Sequence, residues 1–185
     1  IAVRALGPVS SFLLTLLLAR NFGAQATGYF FIALTLITAC AIIARFGLET
    51  ALQRFVGNAR VRQDNRQIIS LYRYALGITS VIGLTLTIVC YVLSEKIAIW
   101  LLGAATERNL IAHMSLIILP FSLLGIHAAL LKSLARPIWG SFFEAAAWPL
   151  LTLFGFILLQ ITNRLDLQTI VLIQVLAAII SLVLS

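Results

Sequence analysis

Residues 74–94 read YALGITSVIGLTLTIVCYVLS, an apolar run closed by Arg73 on one side and Glu95 on the other. No charge interrupts it, and its length is close to the roughly 20 residues that a helix needs to cross bilayer hydrocarbon. Apolar and polar residues do not alternate along it as in a barrel strand. Backbone in hydrocarbon must satisfy its own hydrogen bonds, so the run predicts a membrane-crossing helix. Five further stretches repeat the pattern: Ala5–Ala19, Asn21–Ala44, Asn109–Leu131, Ala145–Asn163 and Leu167–Ser185. The expected fold is all-α, a polytopic transmembrane bundle over residues 1–185 with spans at about 5–20, 27–46, 72–94, 109–131, 141–162 and 168–185.

Composition agrees with hydrocarbon as the solvent. The chain is 62% hydrophobic and 10% charged, with a mean hydropathy of +1.08, whereas soluble domains carry roughly 25% charged residues. It opens at Ile1 without a methionine and stops at Ser185 inside an apolar run, and is read as a fragment. The stretch Ala5–Ala19 precedes no cleavage site or polar mature domain, so it reads as a first crossing and not a signal peptide. Cys40 and Cys90 lie inside apolar runs without CxxC or Cys/His spacing, and read as packing residues.

Loop charge sets orientation, because cytoplasmic loops collect Lys and Arg. With the N-terminus inside, Arg4, Arg45, Arg54, Arg60, Arg62, Arg66, Arg73, Lys132 and Arg136 are cytoplasmic, against Arg20, Lys96, Arg108 and Arg164 outside. The expectation is a multi-pass protein of the cell membrane (inner or plasma) with a cytoplasmic N-terminus. The weight lies in Leu48–Arg73, a basic segment that reads as a cytoplasmic loop or as an amphipathic helix on anionic headgroups. No basic surface is interleaved with aromatics as in single-strand binders, so nucleic acid is not an expected partner. Glu95–Arg108 resembles an interfacial helix. Trp100, Trp139, Tyr72, Tyr74 and Tyr91 fall near span ends, where they read as interfacial anchors. Pro8, Pro120 and Pro149 lie within apolar runs and bend a helix wherever they sit deep in it.

Polar groups at membrane depth are costly and serve as functional hypotheses. Arg4, Gly7, Ser11 and Thr15 share one helical face, and Ser141, Glu144, Trp148, Thr152 and Gly155 share another. From these two stripes Arg4, Ser11, Thr15, Glu144 and Trp148 are candidate substrate-pathway residues. Glu144 has two readings: a gate or coupling-ion site, or a carboxylate near the cytoplasmic end that reaches headgroup water or pairs with a nearby Arg. His113 is a candidate proton-relay residue, weighed against a histidine satisfied by one local hydrogen bond; the same applies to His127. Thr35, Thr38 and Arg45 form a weaker polar line, with Arg45 marking a cytoplasmic helix end. There is no GxSxG, HExxH or Gly-rich phosphate loop ending in Lys-Ser/Thr, and acids are sparse. No enzyme activity, metal or cofactor is expected.

Leu18-Ala19-Arg20, then Gly23, Gly28 and Phe30, resemble the LAR-x-x-G-x-x-x-x-G-x-F signature of polysaccharide-exporting flippases. Ala44-Arg45-Phe46-Gly47-Leu48-Glu49-Thr50-Ala51-Leu52-Gln53-Arg54-Phe55 is similar to the ARxGL-[DE]-x-A-x-x-R-[FY] segment of the same family. That family is the oligosaccharide flippase branch of the multidrug/oligosaccharidyl-lipid/polysaccharide exporter superfamily. The motif match covers roughly Arg4 to Phe55; the remainder agrees only in helix pattern. The resemblance implies one N-terminal lobe of a two-lobed, V-shaped fold like that of multidrug and toxin extruders. It implies flipping of an undecaprenyl-diphosphate-linked sugar repeat by alternating access. The implied partners are the lipid-linked oligosaccharide, membrane lipids, a C-terminal lobe of the same chain and polysaccharide polymerase or assembly proteins. An arginine of the first helix faces the cavity in such flippases, and Arg4 is similar in place; a guanidinium grips phosphate through paired charge-assisted bonds. The alternatives are a cation-coupled multidrug extruder of the same superfamily and a non-transporting scaffold.

Overall fold

The computed structural model describes residues 2–103, 105–161 and 166–185, and at 2–5, 105 and 167 the backbone alone. Its helices are α1 (Ala2–Arg45), α2 (Leu48–Val61), α3 (Asn65–Val92), α4 (Ser94–Leu102), α5 (Arg108–Ser115), α6 (Ile118–Ser133), α7 (Pro137–Phe142), α8 (Trp148–Ile161) and α9 (Leu167–Leu184). A short 3-10 turn, Ala105–Glu107, precedes α5, and a π-turn, Phe143–Ala147, joins α7 to α8. Among the described residues there is no strand, and the fold is an all-α bundle. Among the described residues four stretches are long and apolar enough to cross a membrane: Leu6–Arg45, Asn65–Val92, Arg108–Ser133 and Pro137–Ile161. Gln168–Leu184 is a shorter apolar helix.

The first stretch holds two helices. A continuous helix of 44 residues would be about 66 Å long, twice the hydrocarbon depth. Gly23 breaks it with φ 79° and ψ 174°, a conformation that a side chain disfavours and glycine adopts freely. Both ends then meet one element: Gly7 packs on Ala145, and Arg45 lines a crevice with Glu144. Residues 2–22 and 24–45 therefore form a hairpin around Gly23. The sequence predicted two spans here with residues 21–26 between them; one glycine suffices for the reversal, so the helices run closer to it.

The second break, at Phe46 (φ 45°) and Gly47 (φ 73°), separates α1 from α2. The segment Leu48–Arg73, expected as a cytoplasmic loop or headgroup-bound helix, is divided between α2 and the start of α3, and α2 buries Leu52, Val56 and Ala59. Their partners are Ala75 of α3 and Ile126 and Ala129 of α6, so the apolar side of α2 is spent on the protein. Asp64 caps α3 by accepting the Gln67 N–H at 3.0 Å, and α3 begins at Asn65, two turns before the expected span at 72. Along α3, Ala75, Thr79, Gly83 and Thr87 recur every fourth residue and are buried. Small residues at this spacing let helices approach closely in a membrane. A Cβ at Gly83 would lie 3.0 Å from Ser122 Oγ of α6.

Two of the three expected prolines explain irregular backbone. Proline lacks the N–H for the carbonyl four residues earlier and its ring crowds that carbonyl. For Pro120 that residue is Leu116, where Leu116 and Ile117 donate instead to His113 and Met114, and the α5/α6 axis breaks. For Pro149 it is Ala145, inside the π-turn. In the stretch Glu95–Arg108, expected as an interfacial helix, the structure has α4, ended by Gly103 with φ 66°. Trp100 is 85% exposed, and Tyr74, Tyr91 and Trp139 are also exposed. Tyr72 is instead half-buried, its hydroxyl 2.9 Å from His127 Nε2. Cys40 and Cys90 are free thiols 3.9 Å apart in the main core, beside Ile37, Ala41 and Met114.

Candidate functional site

At the end of the bundle where both ends of α1 converge, four charged side chains close on one another. Arg45 donates to the Glu49 carboxylate across the α1/α2 break, and its Nε donates to the Ala41 carbonyl at 3.3 Å. Its guanidinium carbon sits 6.0 Å from the Phe121 ring centroid, within cation–π range. Only 13% of the Arg45 side chain is exposed, so it is held inward and does more than mark a helix end. Lys132 of α6 donates to the Glu144 carboxylate on the π-turn. A crevice of about 120 Å³ separates the two pairs, lined by Arg45, Phe121, Leu124, Gly125 and Glu144.

Two glycines make this arrangement fit. A Cβ at Gly125 would occupy the space of the Arg45 guanidinium and the Glu49 carboxylate. A Cβ at Gly140 would lie 2.7 Å from the Ala128 carbonyl oxygen and 2.7 Å from Lys132 Cγ. The site thus ties α1, α2, α6 and the π-turn together with two neutralised ion pairs. It carries no nucleophile–base pair, and among the described residues no three His, Cys, Asp or Glu side chains are placed to hold a metal. Its chemistry is that of a clasp between helices.

The sequence-predicted residues are only partly brought together. The Arg4 side chain lies outside the described residues, but Gly7 of the same stripe packs tightly on the π-turn: a Cβ there would overlap the Ala145 carbonyl oxygen. Ser11 is exposed and Thr15 half-buried, with the Thr15 hydroxyl donating to the Ser11 carbonyl at 2.8 Å. Glu144 is exposed and paired, with a lysine in the place foreseen for an arginine. Trp148 lies one turn further along, its ring 5.2 Å from Phe121 and its Nε1 donating to the Gln174 carbonyl at 3.2 Å. Thr152 is buried and bonds the Trp148 carbonyl.

His113 belongs to the other end of the bundle. It is 19 residues before Lys132, about 28 Å along the α5/α6 axis. It borders a cavity of about 200 Å³ with Thr106, Glu107, Asn109, Asp166 and Gln168, and its Nδ1 is buried without a partner. Among the described residues, the titratable side chains that share this cavity with it are Glu107 and Asp166, and Glu144 is not one of them.

The residue that sequence reasoning undervalued is Arg45 together with Glu49. The signal was the i, i+4 Arg–Glu spacing, obscured because Phe46 and Gly47 interrupt the helix between them. No family model, curated protein or solved structure matches this chain.

Proposed function

We propose that this chain is the N-terminal lobe of a flippase that moves an oligosaccharide linked to a polyprenyl diphosphate such as undecaprenyl diphosphate across the cell membrane for polysaccharide export. The observation that supports the reading is where the flippase-like motifs fall in the fold. Gly23 of the first motif is the reversal point of α1. Arg45, Gly47 and Glu49 of the second are the charged ends and the hinge of the inward clasp. Motif residues thus coincide with the positions on which the hairpin and the cytoplasmic clasp depend, as expected if the resemblance reflects a common fold.

The same arrangement bears on orientation. Helix alternation puts Arg45, α2, the start of α3, Lys132 and Arg136 at one end and Arg20, Lys96 and Arg108 at the other. The richer end is cytoplasmic under the positive-inside rule, and the N-terminus with it. The distribution of acids favours an anionic cargo over a cation-coupled drug extruder. Asp64, Glu95, Glu107 and Asp166 lie outside the four long apolar stretches, Glu49 is paired, and Glu144 is held by Lys132. No free carboxylate remains inside those stretches for a drug or coupling cation. Under this reading Arg4 grips the diphosphate, and Ser11, Thr15 and Trp148 border the route.

The test is deletion of the encoding gene followed by extraction of polyprenyl-linked sugars. Accumulation of one lipid-linked sugar on the cytoplasmic leaflet, restored by the wild-type gene and not by an Arg4→Ala gene expressed at equal level, is the expected result. Unchanged surface glycans with new sensitivity to cationic drugs would select the extruder, and normal export from Arg4→Ala would remove the anion grip.

A further inference from the structure

Outside the clasp, α3 carries two exposed arginines. Arg66 and Arg73 lie two turns apart on α3, both exposed, and among the described residues neither meets a carboxylate. Between them runs a groove of about 620 Å³ lined by Arg66, Ile69, Ser70, Arg73 and Tyr74. Followed along the same helical face, the exposed residues change character in a fixed order. After the guanidinium groups and the Ser70 hydroxyl comes the Tyr74 phenol, 71% exposed. Beyond it lie Gly77, Val81, Leu84 and Ile88, all open to the surroundings. A Cβ at Gly77 would meet nothing within 4 Å, so the face is open where the polar end gives way to the apolar one.

We infer that this face of α3 is a binding site for an anionic glycerophospholipid of the surrounding leaflet. The phosphate sits between Arg66, Ser70 and Arg73, and an acyl chain lies over Gly77 along Val81, Leu84 and Ile88. The order of groups along the helix is the order of a phospholipid from headgroup to tail. The two guanidiniums supply the charge that a neutral lipid would leave unmatched, and basic side chains at the leaflet surface attract anionic lipid. Phosphate accepts paired hydrogen bonds from a guanidinium, and the phenol of Tyr74 suits headgroup depth. The sharp contrast is with Arg45 and Lys132, whose charges are consumed inside the bundle. This inference rests on the membrane residence of the chain and not on flipping.

The test uses the purified chain in mild detergent, titrated with phosphatidylglycerol or phosphatidylcholine and observed by native mass spectrometry. Wild type is expected to retain phosphatidylglycerol in preference to phosphatidylcholine. Arg66→Gln with Arg73→Gln is expected to lower that preference by about thirtyfold, the scale of two basic groups lost from an anionic surface. Arg54→Gln with Arg60→Gln removes the same charge from exposed positions of α2 and is expected to change it less than twofold. Gly77→Phe keeps every charge and fills the acyl path; it is expected to weaken phosphatidylglycerol binding about threefold, and it decides the matter should the α3 pair fail to fold. Equal losses from the two arginine pairs would reduce the effect to diffuse charge and overturn the site. Tighter capture of a polyprenyl diphosphate than of phosphatidylglycerol at these residues would overturn its assignment to phospholipid. A chain that inserts into membranes and shows no phosphatidylglycerol preference sinks this inference alone, whereas one recovered from the soluble fraction sinks the flippase reading with it.

Discussion

Lys132 Nζ donates to the Glu144 carboxylate, joining the end of α6 to the π-turn that leads into α8. Both groups keep contact with the surroundings, 23% and 41% of their side chains being exposed, so screening limits the pair to about 1 kcal/mol. A double-mutant cycle with Lys132→Met and Glu144→Gln is therefore expected to show a coupling of about 1 kcal/mol by thermal unfolding in detergent. The reversed pair Lys132→Glu with Glu144→Lys should recover most of the loss. Strict additivity of the single changes would mean that the pair holds nothing. In the flippase reading, Glu144→Gln lowers transport more than it lowers protein abundance, because an amide of nearly the same shape still reaches Lys132.

Arg45 is the more enclosed cation and makes three kinds of contact at once: to the Glu49 carboxylate, to the Ala41 carbonyl and over the Phe121 ring. Lysine reproduces the charge but not the planar fork. Arg45→Lys should cost about 1–2 kcal/mol of stability, and Arg45→Met about 3 kcal/mol because it strands Glu49. Gly125→Ala should cost about 1–3 kcal/mol by overpacking the space that the guanidinium fills. The check is the unfolding midpoint of each variant. A Gly125→Ala protein as stable as wild type would show that the Arg45–Glu49 pair does not rest against α6.

At the far wall of the same site, Gly7 lies on the Ala145 carbonyl, whose usual i+4 donor position is taken by Pro149. The π-turn and the close approach of α1 thus have one cause. Gly7→Ala is expected to cost about 1–3 kcal/mol, measured by unfolding, and Gly28→Ala, where a Cβ meets nothing within 4 Å, is expected to be neutral or slightly stabilising. Equal effects at the two glycines would argue that the packing of α1 on the π-turn is not a determinant of the fold.

Much of the bundle was legible because hydropathy and length report what hydrocarbon demands of a helix. The run at 74–94 lies almost wholly within α3, and that at 109–131 within α5 and α6. What hydropathy missed was helix continuing past the apolar part. Asn65 and Arg66 lie before the span expected from 72, yet with the Asp64 cap they begin the same continuous helix, α3. The basic character of Leu48–Arg73 also concealed that Leu52, Val56 and Ala59 align on one side of a helix. Of the two polar stripes read in the sequence, Gly7 of one packs on Ala145, next to Glu144 of the other. The partners came from Lys132 and Arg45, residues distant in sequence or separated by a helix break, and no periodicity in one helix reveals a contact with another.

The pairing of residues 24–45 with α3 can be tested through two thiols that sequence alone left as unconnected packing groups. Cys40 and Cys90 come from these two helices with their sulfurs in hydrogen-bond contact at 3.9 Å and not joined by a disulfide. A disulfide requires sulfurs at about 2.05 Å, so each side chain needs to move by only about 1 Å, within the reach of a rotamer adjustment. A membrane-permeant oxidant is therefore expected to remove both thiols from maleimide labelling at once, with a mass loss of two hydrogens and no dimer. Cys40→Ser and Cys90→Ser should each abolish the change and leave the remaining thiol free. Persistence of both thiols in wild type under conditions that cross-link an engineered pair elsewhere in the bundle would place these helices apart. The hairpin around Gly23 would then need a different packing against α3.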